Sequence, residues 1–436
     1  MTSATMNPDV LREPKSASRA GVRGLARLDI QGGGQVVVQD GYAYVGHMRP
    51  PDGTSIIDVR DPAAPRIVAQ IPPPSPRSHT HKVRVVGNLL FANVEQDRRH
   101  FLRKAEGIAP AETQLRDDLG RAPSEAEIAG KLGVDTDQLA DLRRELDDPY
   151  DEGGFRIFDI SDRAQPRLLV HRRTGGVGVH RFDVDDRYAY ISTEMPGYLG
   201  NILVIYDIAD PTAPQEVSRW HMPGQHVGAG ETPDWEGRRT RLHHALREGD
   251  TLWAAYWHGG AVALDISDIR APREIGRYNY HPPFPEPTHT FLKLPERIGG
   301  RDIAVMCDEE HDHIPGQPHA FLWVMDVGDP AAIKPISTFH LSTHESPYAR
   351  AEGRFGLHQV EEVVRGTELH AAWFSGGLRI IDLAEPERPT EIGHYVPEPL
   401  GDHPAPQSND VAVDDNGVIY LLDRDRGLEI LEREAP

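Results

Sequence analysis

Five histidines stand at matching places in five short segments of this chain, and their chemistry is the first question it poses. The segments read SHTHKVRV, GVHRFDV, RLHHALRE, PTHTFLKL and GLHQVEEV, and they place His81, His180, His243, His289 and His358 in one register. Two further segments put Gln35 and Asn409 at or near that register. Neutral imidazoles that converge on one point suit a borderline transition metal, because each nitrogen gives a lone pair without adding the charge of a carboxylate. The competing reading is a polar channel bridged by ordered water. Glu95 in FANVEQ, Glu194 in ISTEM and Glu309 in MCDEEH follow the same segments. They are candidates to orient the imidazoles, or they are solvated loop acids. In a hydrolytic variant Glu194 or Glu95 would serve as the general base. Whether His79 or His81, and His243 or His244, would ligate stays open. The HDH triplet at His311 to His313 reads more simply as a surface loop than as a second site.

Residues so far apart need a repeating frame to meet. One phrase recurs six times: an apolar run ending in Asp, an Asp-Pro or Ala-Pro turn, and a second apolar run. It appears as SIIDVRDPAAPRIVAQI from Ser55 and FRIFDISDRAQPRLLVH from Phe155, then from Leu203, Ala261, Leu322 and Leu378. A run of β-branched residues forms a strand, and the proline-bearing turn ends it. Two more strands precede each phrase, so four strands recur about every forty residues, the spacing of a propeller blade. Inner strands are expected near Gln35, His81, His180, His243, His289, His358 and Asn409. The sequence therefore predicts an all-β, seven-bladed propeller over residues 21–436, after a flexible tail over 1–20. The last unit, ending LEILERE, lacks an outer strand, and GLARLDI from Gly24 is expected to supply it and close the ring.

The repeated phrase resembles the LVIVD repeat family, and the resemblance covers nearly all of the chain outside 97–152. The histidine constellation alone is similar to that of carotenoid cleavage dioxygenases, in which four propeller histidines surround one ferrous ion, and of selenium-binding proteins that act as methanethiol oxidases. With Cys307 as its single cysteine, the chain cannot reproduce a paired-cysteine motif of the selenium-binding kind. This resemblance implies a metal-dependent oxidoreductase, a dioxygenase-type enzyme with Fe(II) as the preferred ion and Cu, Mn or Zn as alternatives. His180, His243, His289 and His358 would be ligands, and His81 a fifth ligand or a polar wall. A non-catalytic interaction scaffold and a zinc hydrolase are the other readings, since a fold alone does not fix a reaction.

Residues 97–152 break the second blade with helical spacing, and Ser124 and Asp135 carry capping signals. The stretch LGRAPSEAEIAGKLGV is similar to the helix-turn-helix segment of bacterial sigma factors, but residues 111–152 hold 13 acidic against 5 basic residues, the wrong sign for reading DNA. A lid over the propeller mouth or an oligomer interface is expected instead.

Composition narrows the partners. A net charge of −21 over 436 residues argues against nucleic acid and anionic membrane. A small-molecule substrate is expected. No apolar run near the start could serve as a signal segment, none is long enough to span a bilayer, and a single cysteine forms no intrachain disulfide. The expected location is the cytoplasm. The six tryptophans either line an apolar pocket or pack between blades.

Overall fold

The six repeated phrases share a local device that explains their aspartates. Asp58, Asp159, Asp207, Asp265, Asp326 and Asp382 each end a third strand, and each carboxylate accepts from the backbone N–H two residues on, at 2.9 to 3.2 Å. Such an Asx turn reverses the chain without help from elsewhere. The register of each following strand pair slips by one residue just before this aspartate, as between Ile56 and Ile57 or Val324 and Met325. A bulge at that place adds twist. In three units an arginine that opens the outer strand returns to the same aspartate: Arg66 at 3.2 Å, Arg167 at 2.9 Å and Arg273 at 2.6 Å.

The computed structural model describes residues 14–235, 238–311 and 314–434. Among them the strands form six antiparallel sheets, four of four strands, one of five and one of nine. The nine-stranded sheet consists of two meanders, one closing on Arg167–Arg173 and one running from Gly175–Val184 to Gln215–Trp220, joined by the single bridge between Gly178 and Glu95. Apolar clusters fill the spaces between sheets. Trp253 packs edge-on to Phe291, and Trp373 to Phe339, so Trp253, Trp323 and Trp373 serve packing between sheets. Trp257 is the exception and faces a cavity.

Closure follows the expectation. Val22–Gln31 pairs with Arg426–Arg433 as the outer strand of the sheet that begins with Ser408–Val413. The tail boundary needs correction. Ser16–Ala20 is a strand, paired with Thr390–Pro397 as the fifth strand of the neighbouring sheet. Its SASRA sequence lacks strand-like alternation, but an open sheet edge supplies the backbone partners it needs. The rest of the expected tail, residues 1–13, lies outside the described residues.

The insertion is helical over Arg99–Leu102, Ile108–Leu119, Glu125–Leu132 and Thr136–Asp147, with a 3-10 turn over Arg103–Gly107. Both capping boxes form: Ser124 with Glu127, and Asp135 with Gln138. Ile108, Ile128, Leu139 and Leu142 give it a small core of its own. Arg77 ties it to the propeller through Glu145 at 3.2 Å and Asp148 at 2.8 Å. Among the described residues no helix is long and apolar enough to cross a membrane.

Candidate functional site

The register-matched histidines meet. Ring centroids step from His79 to His81 (4.4 Å), His180 (5.4 Å), His243 (4.8 Å), His289 (3.9 Å) and His358 (4.4 Å) in an unbroken arc. They do not all open their strands. His81 precedes Val83–Val86, His243 precedes His244–Glu248, and His180 sits within Gly175–Val184. What aligns them is the mouth of the channel. Room for the arc comes from the first sheet: a Cβ on Gly34 would stand 2.6 Å from the His81 carbonyl oxygen, and one on Gly46 would meet the same backbone at 2.6 Å.

Hydrogen-bond partners decide which ring nitrogens are free. His243 donates from Nδ1 to the His289 carbonyl at 2.6 Å, and His358 donates from Nδ1 to the Asn409 carbonyl. His180 Nδ1 faces both the Glu95 carboxylate at 3.2 Å and the Arg99 guanidinium at 3.4 Å, and it donates to the nearer carboxylate. His289 donates from Nδ1 to Thr290 Oγ1 at 3.1 Å, whose own proton goes to Gln359 Oε1 at 2.7 Å. All four rings therefore keep Nε2 bare, the tautomer a metal ligand needs. His81 is the reverse. Asn93 Oδ1 accepts from the Lys82 N–H at 2.8 Å, so its amide nitrogen must donate to His81 Nδ1 at 3.1 Å. That puts the His81 proton on Nε2, toward Glu95 at 3.9 Å. His81 is a polar wall.

Among the described residues, two groups of three side chains have ligand atoms within 4.8 Å of one another: His243, His289 and Glu309, and His79, His81 and Glu95. The second group has few lone pairs to give. Both nitrogens of His79 are taken by oxygens, Met48 O at 3.0 Å and Glu95 at 3.1 Å, while Arg99 pairs with Glu95 at 2.9 Å. Only the first group suits a cation. Glu309 stands 3.9 Å from His289 Nε2 and 3.8 Å from His358 Nε2, so it belongs to the site itself. The sequence offered it as an orienting carboxylate or a solvated loop acid. His244, the neighbour of His243, turns instead to Glu362 at 3.4 Å.

The electrostatics agree. Burial holds His81, His243, His289 and His358 well below 6.5, and pushes His180 down to about 4. These rings stay neutral at physiological pH. Burial would raise both carboxylates, but Arg99 and His180 hold Glu95 well below the usual range, and His311, His358 and Arg354 do so for Glu309. Glu194 lies elsewhere: it is held by Arg103 and by the Val177 N–H at 3.1 Å, out of the cavity lining. Sequence position alone, after a second strand, did not separate it from Glu309. His311 is also placed differently from expectation. It lines the cavity, 3.4 Å from Glu309 and 5.0 Å from the Trp257 ring. Asp312 and His313 lie outside the described residues.

The cavity over the arc measures about 450 Å³. Its lining includes Asp97, Arg98, Arg99, His100 and Phe101, the first residues of the insertion.

Comparison with known proteins adds the family. The LVIVD repeat model matches residues 33–71 and 181–221, which coincide with the first sheet and with the meander that follows Arg181. The chain carries LVIVD repeats in a propeller-like fold. Among proteins of curated function, none matches its sequence. Solved structures share the fold of this LVIVD-repeat protein at low identity. A candidate 6-phosphogluconolactonase from Bacteroides uniformis superposes with a TM-score of 0.56 at 11% identity, over 88% of this chain and 89% of that one. The RRP9 WD40 repeats give 0.54 at 10% identity, over 97% and 100%. A protein from Lactobacillus plantarum gives 0.56 at 12% identity, over 87% of each.

Proposed function

We propose that the LVIVD-repeat chain is a seven-bladed propeller that holds one divalent transition metal on its histidine arc and acts as an oxidoreductase. The blade count takes the nine-stranded sheet as two blades, since one bridge joins its halves. The observation that carries the metal reading is the set of four bare Nε2 atoms, on His180, His243, His289 and His358, beside the Glu309 carboxylate. Neutral imidazoles with one carboxylate favour ferrous iron over an all-oxygen ion, with Cu, Mn and Zn as alternatives. Such an ion, when bound, would supply redox chemistry toward dioxygen or a substrate.

The chain's own residues do the rest. Backbone carbonyls of His289 and Asn409 fix the orientation of the rings before them. The buried setting keeps those rings unprotonated. His81 offers a proton donor at the wall, and the helical cap limits water. Glu95 suits a positioning role better than that of a general base, because Arg99 and His180 depress its basicity. We assign the protein to the cytoplasm on its one cysteine, Cys307, a buried free thiol.

Elemental analysis of protein made without a histidine tag and loaded anaerobically with Fe(II) tests this. One ion per chain with an optical or paramagnetic signal is expected. No stoichiometric ion would overturn the reading, and a silent zinc ion would move it to a hydrolase.

A further inference from the structure

The cavity is cationic in a chain whose net charge is −21. Among the described residues its lining carries Arg49, Lys82, Arg98, Arg99, Arg354 and Arg424 against two carboxylates, Asp97 and Glu309. Some of these cations are already matched. Arg99 pairs with Glu95 at 2.9 Å, Arg354 with Glu309 at 2.8 Å, and Arg98 with Asp141 at 3.2 Å. Arg424 is not. Its one side-chain hydrogen bond goes to Asn409 Oδ1 at 3.1 Å, and among the described residues no carboxylate oxygen comes within ion-pair distance. Arg241 is likewise without a carboxylate, its guanidinium stacked 3.8 Å from the centroid of the cavity-lining Trp257.

Arg424 is also tied to the candidate metal site. Asn409 accepts from Arg424 through its side chain and from His358 through its backbone carbonyl. Arg354 reaches the same place through Glu309, which stands 3.8 Å from His358 Nε2. A guanidinium presents a planar fork that fits two oxygens of a carboxylate or phosphate, and a low-dielectric cleft lined by one sign of charge concentrates ions of the other.

We propose that the substrate of this site carries an oxyanion group, a carboxylate or a phosphate, and that Arg424 is the residue that receives it, with Arg354 beside it. Burial and the neighbouring Arg354 push Arg424 down to about 10, and burial with Arg99 and Arg103 pushes Arg241 down to about 9, as expected where positive charge lacks a counter-charge. The proposal deepens the metal reading by naming the substrate class, and rests on it only for the reaction that follows binding.

Calorimetric titration of the full chain with inorganic phosphate and, separately, with benzoate tests it, on chelator-treated and on iron-loaded protein. At least one anion should bind chelator-treated protein, and its affinity should weaken as salt is raised. Phosphate alone would indicate a phosphorylated substrate, and benzoate alone a carboxylate. R424Q should weaken binding by about tenfold or more, R424K by less, and the exposed control R187Q not at all. If R424Q does not fold, the salt dependence and R241Q carry the test. Neither anion binding, salt-independent binding, or R424Q binding as tightly as the parent chain would overturn the proposal. Anion binding by a chain that takes up no metal would retire the metal reading and leave this one standing.

Discussion

His243 Nδ1 lies 2.6 Å from the carbonyl oxygen of His289, so the His243 ring is held by the backbone of the residue it must cooperate with. The same pattern joins His358 to Asn409. Neighbouring sheets thereby set each other's tautomers, and the distinction between bare and protonated Nε2 follows from those contacts.

That distinction is measurable. His243→Gln and His358→Gln should lower metal affinity by more than the about 10–100-fold typical of losing an outer partner, while His81→Gln should cost no more than that. Competition against a chelator of known affinity reads both. Equal losses for His81 and His243 would contradict the tautomer assignment.

The metal-free protein should lose stability as the solution is acidified. His81, His180, His243, His244, His289 and His358 all sit below 6.5 when folded, chiefly through burial. Below pH 6.5 the unfolded chain takes up protons on these rings while the folded chain does not, so stability falls as pH drops, by up to about 1.4 kcal/mol per pH unit for each ring. For His180 the fall continues to about pH 4. Calorimetry from pH 8 to pH 5 should show a Tm that is level above pH 7 and declines below 6.5, with a shallower decline for His244→Gln.

Glu362 should be a stability residue of the channel. It receives Arg84 and Arg181, takes the Gln359 amide at 2.8 Å, and lies 3.4 Å from His244, while Arg181 is fully buried. Glu362→Ala leaves the buried Arg181 guanidinium without its ion-pair partner, while Arg84 keeps Asp183 at 3.2 Å, and should cost about 3–5 kcal/mol. Denaturant unfolding of the metal-free chain measures it.

Replacing residues 98–152 with a short Gly-Ser linker should leave the β signature in circular dichroism unchanged. Gly154 pairs with Val94 across the gap, and the helices have their own core. The ion should then be stripped by chelator faster than from the full chain, because Arg98 to Phe101 no longer cover it.

The frame was legible because its determinants are local. Each Asp and its turn are a contact across two residues, so the phrase announces itself wherever it recurs, and Ser124 and Asp135 announce their helices in the same way. The arc was legible because the histidines occupy one register. Their tautomers were not, since the acceptor for His358 lies 51 residues away and the amide that fixes His81 is itself fixed by Lys82. Glu309 and Glu194 look alike in sequence and differ only in what faces them, imidazoles for one and Arg103 for the other. Arg354 and Arg424 hold no position that recurs across the units and gave no signal. The strand over Ser16–Ala20 is dictated by the sheet edge it meets.

The pairing of Val22–Gln31 with Arg426–Arg433 has a consequence for synthesis. Val22–Gln31 must wait for a strand made long after it, and Ser16–Ala20 must wait for Thr390–Pro397. Until then the growing chain is an open arc with two unsatisfied rims. The histidines sit on that open frame until the ring shuts, so metal loading would belong to the closed ring and not to the growing one.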